Sequence, residues 1–363
     1  MKETSDKRVE KKKKIVFIIH NMTGGGTERV VSLLSGEYVK RGYQVAIMQF
    51  AGYEHAYELD ERVEDFSVGK RSGGNPLVWG RRILDMRRYF KENPDCHIFA
   101  FAVMGAVFSA IATIGMKRPL LVAERSNPEK WERKWLRNWA YRRADVITFQ
   151  TADGISYFPE DIARKAVIIP NPVEAGIPTR YEGERAKKIV AVGRLHGEKN
   201  QALLLEAFAD FRKQREDYEL HIYGQGELEK KLKAYAEELG IAESVVWHGF
   251  SRRVKEEIVD SRMFVLPSDY EGISNSMLEA LAMGIPTIAT DCPIGGARTY
   301  IDNGVNGLLV PVRDRRAMAE AMLKVAQDDA LAERLSLNGA MVREKCSLDK
   351  IAECFLEAAN IYE

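Results

Sequence analysis

The stretch Asp269-Tyr270-Glu271-Gly272-Ile273-Ser274-Asn275-Ser276-Met277-Leu278-Glu279 follows an apolar run, Met263 to Pro267, and enters a helical pattern that Gly284 ends. A short, wholly apolar run reads as a strand buried on both faces. A strand, a glycine-bearing loop and a helix N-terminus bring backbone N–H groups and partial positive charge to one point, where an anion can bind. Two glutamates stand across that point in E-x7-E spacing, Glu271 in the loop and Glu279 in the helix. Ionised carboxylates accept hydrogen bonds from hydroxyls. Glu271, Glu279 and the loop residues Gly272, Ile273, Ser274 and Asn275 are therefore candidate ligand contacts. A second reading stands beside this one: Ser276-x-x-Glu279 fits a capping box, in which Glu279 only closes a helix end. A helix that starts near Ser274 would exclude it.

Outward from this stretch the same grammar repeats. Upstream, Ile189 to Val192 reads as a strand, Gly193 to Asn200 as a loop, and Gln201 to Arg215 as a helix. Strands follow at 218–223, 244–247 and 286–291, with a helix at 227–239 and three more at 315–328, 330–345 and 348–362. The first half is a parallel case. Lys14 to His20 is a strand, Gly24-Gly25-Gly26 a turn, and a helix runs from about Glu28 to Lys40 with Thr27 as N-cap. Strands at 44–50, 98–103, 120–124, 145–150 and 166–170 alternate with helices at 77–93 and 131–143. The polar stretch 51–75 carries no clear pattern, and 171–187 reads as a linker. Alternating β and α elements build parallel sheets. The expectation is an α/β protein with two doubly wound, Rossmann-like domains, residues 1–180 and 181–346, followed by a helical segment 347–363. Ligands bind at the carboxyl ends of such strands, and two such edges face to face would form an interdomain cleft.

Composition narrows the function classes. A chain of 363 residues suits two domains. A net charge of +1 gives no bulk attraction to nucleic acid, which is not expected as a partner. The four cysteines include no C-x-x-C pair, so neither a zinc site nor a disulfide framework is indicated, and reduced thiols fit a cytoplasmic protein. The basic lead Lys11 to Lys14 precedes an apolar run too short for a signal peptide. Ile98 to Met116 is uncharged, but it divides at Gly105 into a buried strand and an Ala-rich core helix rather than a membrane span.

Two further constellations carry chemistry. Gly24, Gly25 and Gly26 before a helix let backbone approach a phosphate, although a plain tight turn explains them equally. Arg194 and Lys199 flank Gly197 in the first strand-to-helix loop of the second half, and can converge on one diphosphate. Taken alone they also read as solvated surface cations. The sequence lacks a D-x-D pair of the kind that holds a metal on a diphosphate, Asp269 and Glu271 being the nearest approximation, and no Cys/His cluster has zinc spacing. Protein cations would then neutralise the phosphate, with no metal and no cofactor.

Together, the Arg194/Lys199 loop, the E-x7-E stretch, the glycine loop and the two-part layout resemble retaining glycosyltransferase family 4, which has the GT-B fold, across nearly the whole chain. The resemblance implies transfer of a hexose-type sugar from a nucleotide diphosphate sugar, UDP by family frequency, to a glycan or polyprenyl-linked glycan in surface-polysaccharide synthesis. It implies that Arg194 and Lys199 hold the donor pyrophosphate, Glu271 meets the donor sugar, Glu279 binds ribose, and Gly25 and Gly26 approach the diphosphate. It also implies that the C-terminal helix returns to the first domain. One position departs from the family: Arg125 stands where many relatives carry a histidine, so Arg125, with Gly24, is assigned to the acceptor or donor-sugar side. Arg81, Arg82, Arg87, Arg88 and a helix with Trp131, Trp135 and Trp139 suit an anionic membrane surface, at the inner face of the cell membrane, although core tryptophans beside a solvated basic face explain them equally. The alternatives are a nucleotide-sugar-binding protein without transfer and a GT-B nucleotide-sugar epimerase.

Overall fold

The computed structural model describes residues 13–51, 55–69, 76–125 and 127–361. Lys11, Lys12, Ser126 and part of the stretch 51–75 lie outside the described residues. The chain forms two compact units.

The first unit holds a seven-stranded parallel sheet in the order β3-β2-β1-β4-β5-β6-β7. Its strands are β1 (Lys14–Ile19), β2 (Gln44–Gln49), β3 (Glu64–Ser67), β4 (His97–Phe101), β5 (Leu120–Ala123), β6 (Val146–Phe149) and β7 (Ala166–Ile168). Helices α1 (Gly26–Lys40), α2 (Pro76–Glu92), α3 (Ala102–Ala112) and α4 (Lys134–Arg142) cover it. From Ile15 to Ile18, β1 is fully buried, as a central strand with helices on both faces must be. The edge strand β3 lies within the stretch that showed no pattern, because its sequence, Glu-Asp-Phe-Ser, holds a single apolar residue. The uncharged run from Ile98 holds a buried strand and a core helix, but it divides after Phe101 rather than at Gly105, which lies inside α3. A Cβ at Gly105 would come 3.0 Å from the Ile18 carbonyl oxygen, so α3 needs its small residues to lie against β1. Among the described residues no helix is long and apolar enough to cross a membrane.

The second unit holds a six-stranded parallel sheet in the order β10-β9-β8-β11-β12-β13. Its strands are β8 (Ala186–Val192), β9 (Glu219–Tyr223), β10 (Val245–Gly249), β11 (Ser261–Leu266), β12 (Thr287–Thr290) and β13 (Leu308–Val310). Side chains alternate across a strand, and the core sorts accordingly. Ile189, Met263 and Val265 join Leu204, Phe208 and Met322 on one face. Val190, Phe264 and Leu266 join Met277, Leu281 and Ile285 on the other. Each fully buried Leu or Phe contributes about 1.5–3 kcal/mol of apolar burial.

The divisions of the chain differ from the sequence-based boundaries. Gln150–Ser156 and Pro170–Ile351 belong to the second unit, whereas Tyr157–Ile169 and the residues from Ala352 belong to the first. The stretch 171–187 is not a free linker. Val173 N–H donates to the Cys346 carbonyl at 2.7 Å, and the Arg343 guanidinium donates to the Ile177 carbonyl at 3.2 Å. From Ala352 onward the helix Leu348–Ala358 is part of the first unit, where the Phe355 ring lies 6.2 Å from those of Phe99 and Phe101. Tyr38 Oη donates to the Ala352 carbonyl, and Arg41 pairs with Glu353 at 2.6 Å.

Three further details differ from the sequence-based reading. Helix α1 begins at Gly26 with Gly25 as its N-cap, so Thr27 is already helical. Helix α4 begins at Lys134, which leaves Trp131 in the preceding turn, its indole donating to the Arg133 carbonyl at 3.1 Å. The tryptophans therefore form no continuous stripe: Trp135 is 72% exposed, and Trp139 lies beneath the Arg143 guanidinium. Of the four arginines on α2, Arg82 is buried and donates to the Phe50 carbonyl, and Arg87 donates to the Ala112 and Ile114 carbonyls. Arg81 and Arg88 are exposed.

Candidate functional site

In each sheet the chain order reverses beside the strand that opens the unit, β1 next to β4 and β8 next to β11. Loops leaving the carboxyl ends of two strands that lead in opposite directions open a crevice there. In the second unit the two loops at that point are Gly193–Asn200, after β8, and Ser268–Ser274, after β11. These are the two loops that carry Arg194, Lys199 and Glu271.

The first loop is fixed by its neighbours. Gly193 N–H donates to the Tyr223 carbonyl at 2.9 Å and Leu195 N–H to the Gln225 carbonyl at 3.0 Å. Gly224 has φ +131, and a Cβ there would run into the Gly193 carbonyl oxygen. Only glycine allows this approach. A short 3-10 turn, Gly197–Lys199, leads to Asn200 in the left-handed region at φ 44. Asn200 Oδ1 accepts from Leu203 N–H, capping the helix Gln201–Arg212, while its Nδ2 donates to Asp269 Oδ1 at 2.8 Å.

The second loop is tied to the first at several points. Lys199 Nζ pairs with Glu271 Oε2, and their side chains are only 14% and 18% exposed. Asp269 N–H donates to the Glu198 carbonyl at 2.9 Å. Asp269 Oδ2 accepts from Arg313 Nε and Nη2 at 2.9 and 2.8 Å, a fork that also holds the guanidinium above its ordinary pKa. Arg194 is 59% exposed and lies 3.4 Å from Glu198 Oε1. Burial, with the Glu271 charge next, pushes the nearby Cys292 thiol up to about 11, so it is a neutral thiol at neutral pH.

The helix beyond the loop starts at Asn275, with Ser274 as N-cap accepting from Met277 N–H. Glu279 is therefore well inside the helix, and the Ser276–Glu279 capping box does not form. Ser276 instead donates to the Val192 carbonyl at 2.9 Å, which brings the helix N-terminus to the end of β8. Arg194, Lys199, Glu271, Gly272, Ile273, Ser274, Asn275 and Glu279 thus belong to two adjoining loops and one helix of a single unit.

In the first unit, Gly24, Gly25 and Gly26 lie between β1 and α1. Gly24 has φ +117, and a Cβ at Gly25 would meet the Glu28 carboxylate at 2.5 Å. Arg125 follows β5, and its guanidinium lies over the rings of Phe101 and Phe355 at 5.6 and 5.7 Å. The flanking Glu124 is buried and accepts from Tyr141 Oη at 2.6 Å.

Sequence reasoning misses Asn171 and Gln150. Asn171 is 2% exposed and donates to the Ile273 carbonyl at 3.1 Å and to Asn275 Oδ1 at 2.6 Å. Gln150 Nε2 donates to Asn171 Oδ1 at 2.8 Å. The only sequence signal is Asn171-Pro172-Val173, which reads equally as a turn. Asp269 is bound to both Asn200 and Arg313 and braces one loop against the other.

Comparison with known proteins agrees with this geometry. The family model described as "Glycosyl transferases group 1" matches residues 179–341, and "Glycosyl transferase 4-like domain" matches residues 25–172. A Campylobacter jejuni GalNAc-alpha-(1->4)-GalNAc-alpha-(1->3)-diNAcBac-PP-undecaprenol alpha-1,4-N-acetyl-D-galactosaminyltransferase is 26% identical over 95% of this chain and 97% of its own length. A Salmonella typhimurium lipopolysaccharide 1,6-galactosyltransferase is 32% identical over 44% of this chain and 42% of its own. The crystal structure of Anabaena HepE in complex with UDP superposes with a TM-score of 0.82 at 18% identity, covering 96% of this chain and 99% of that one. The two matched halves, the paired parallel sheets and the loops at their switch points place this chain in the GT-B glycosyltransferases of the family 4 type.

Proposed function

We propose that this protein moves a hexose-type sugar from a UDP-sugar to a lipid-linked or growing surface glycan, with retention of anomeric configuration and without a metal. The observation that carries the reading is the convergence of Arg194, Lys199, Glu271 and the Ser274-capped helix at the switch point of one sheet. Arg194, Lys199 and the helix N-terminus offset charge on the departing diphosphate, which is where charge develops as the bond from the anomeric carbon to the phosphate oxygen breaks. The acceptor oxygen forms the new bond on the same face, and its proton passes to a donor phosphate oxygen. Glu271 and the loop from Gly272 to Asn275 hold the sugar, and Glu279 holds the ribose. Gly24, Gly25, Gly26 and Arg125 are assigned to diphosphate and acceptor contacts.

The acceptor class draws on the relatives, whose names specify an undecaprenol diphosphate carrier and lipopolysaccharide. It also draws on α2 and α4, which both pack on α3. Leu77 and Leu84 on α2 and Trp135 on α4 are 84%, 65% and 72% exposed, with Arg81, Arg88, Arg133 and Lys134 exposed on or next to the same helices. Apolar side chains interleaved with cations suit an anionic bilayer, at the inner face of the cell membrane.

The test is incubation with a panel of UDP-sugars and a polyprenyl diphosphate-linked glycan, with a chelator present, followed by NMR of the product. An α-linked product from an α-linked donor is expected. A β-linked product, an isomerised donor, or binding without turnover would overturn the proposal.

A further inference from the structure

We infer that Asn171, reached through Gln150, is the positioning residue for the sugar half of the donor site. This rests on the reading of Gly272–Asn275 as the sugar-contacting loop.

Three carboxamides form a chain with one direction. Gln150 Nε2 donates to Asn171 Oδ1 at 2.8 Å, and Asn171 Nδ2 donates to Asn275 Oδ1 at 2.6 Å and to the Ile273 carbonyl at 3.1 Å. Each amide has a distinct donor end and acceptor end. Asn171 can serve both neighbours in only one orientation, so Asn275 must turn its oxygen inward towards Asn171. Its amino end then points away from Asn171. The same Asn171 nitrogen holds the loop backbone at Ile273. One buried side chain thus sets both the path of the loop and the polarity of its one carboxamide.

The loop has little room to adjust by another route. A Cβ at Gly272 would come 2.6 Å from Gln150 Oε1, and a Cβ at Gly296 would run into the Gly272 carbonyl oxygen. Thr151, next to Gln150, donates to the Ile294 carbonyl at 2.8 Å, and Glu271 N–H donates to the Pro293 carbonyl at 3.0 Å. Glu271 is therefore held from the Pro293–Ile294 side, and Ile273 and Asn275 from the Asn171 side. The nucleotide half has different supports: Arg194 and Lys199 are on the loop fixed by Tyr223 and Gln225. The Lys199–Glu271 pair and the helix N-terminus serve both halves, so disturbing Asn171 should affect the sugar more than the nucleotide diphosphate.

Asn171→Asp keeps the shape and removes the donor, leaving an oxygen against the Ile273 carbonyl and Asn275 Oδ1. Gln150→Glu, at a half-buried position, removes the donor at the head of the chain and serves if the first variant fails to fold. Wild type and variants are compared in kcat and KM for the UDP-sugar, Kd for UDP, and melting temperature. A displaced reacting group costs on the order of 100-fold in rate. We expect Asn171→Asp to lose kcat on that order while its UDP affinity stays near that of wild type, and Gln150→Glu to show a smaller loss of the same kind. Asn171→Ser, which can still donate, should recover part of the rate. Unchanged kcat in a folded Asn171→Asp or Gln150→Glu protein overturns the inference. So does a rate loss matched by equal losses of UDP affinity and melting temperature, which would mark a purely structural role. A wild-type protein that transfers no sugar overturns the underlying reading instead.

Discussion

Lys199 Nζ and Glu271 Oε2 form an ion pair across two loops that leave the sheet on either side of its switch point. The residues assigned to the phosphate half and the sugar half of the donor are therefore one electrostatic unit. Ser268 Oγ adds a 3.4 Å contact to the same carboxylate oxygen. Removing either partner leaves a mostly buried charge with less compensation, which is costly. Lys199→Ala and Glu271→Gln should each lower kcat/KM by about 10²–10³, the scale for a lost charge-stabilising group. Groups that act as a unit are not additive, so the double variant should lose little more than the worse single one. Steady-state kinetics on the four proteins checks this, and a product of the two single losses would refute it.

Glycines at two places make a second prediction. Gly224 has φ +131 and no space for a Cβ beside the Gly193 carbonyl, whereas Gly304 has φ +78 and open space. Alanine is strained at both. Only at Gly224 must the Gly193–Arg194 backbone also move. Gly224→Ala should weaken UDP binding at least about tenfold, since a misplaced contact is expensive. Gly304→Ala should lower the melting temperature and leave UDP affinity unchanged. Calorimetric titration with UDP separates the two.

These contrasts show which parts of the structure were legible in the sequence. β1 and β11 are legible because central parallel strands carry unbroken apolar runs, here Ile15 to Ile19 and Met263 to Leu266, and β3 is not because an edge strand needs only one buried face. Arg194, Lys199 and Glu271 were recognisable as a set because their chemistry suits a phosphorylated sugar. Glu279 was ambiguous until the helix start at Ser274 was known. Buried cations are hard to read for a different reason. Arg82 and Arg137 are residue types usually found at the surface, and their burial is offset by the Phe50 and Pro128 carbonyls, with Asn138 Oδ1 and the Phe158 ring adding to Arg137. Asn171 escapes notice likewise, since its partners Ile273 and Asn275 are far away in sequence.

The membrane surface is testable by the same distinction between exposed and buried arginines. Each cation near an anionic bilayer contributes about 1 kcal/mol. Arg81→Glu with Arg88→Glu should abolish flotation with anionic vesicles at low salt, and Trp135→Ser should weaken it. Melting temperatures should hardly change, because these side chains are exposed. Arg82→Glu should instead destabilise the fold, since Arg82 is buried against the Phe50 carbonyl. Failure of the wild type to float would remove the membrane contact altogether.

His97 predicts how stability depends on pH. It opens β4, is 7% exposed, and pairs in register with Ile15 of β1. Burial, with the Lys13 charge adding to it, pushes its imidazole down to about 4. Arg118 and Asp145 line the same pocket. The ordinary histidine pKa, about 6.5, applies to the unfolded chain. Between those values the unfolded chain binds more protons at His97 than the folded one, so the contribution of His97 to stability falls as pH falls from about 6.5 and levels off below about 4. The full effect is at most about 3.5 kcal/mol, since each pH unit between the two pKa values is worth about 1.4 kcal/mol. His248, at the end of β10, is also lowered, by partial burial and the neighbouring His221, and contributes in the same direction. Asp210 and Asp217 are held well below the usual carboxylate range by Arg315 and Arg215 respectively, so their stabilisation is lost mostly below about pH 4. His97→Gln should therefore show a shallower loss of urea stability between about pH 6.5 and 4 than the wild type, with His248 and the lowered aspartates contributing to what remains. Equal slopes in the two proteins would mean that His97 takes up its proton without penalty in the folded state.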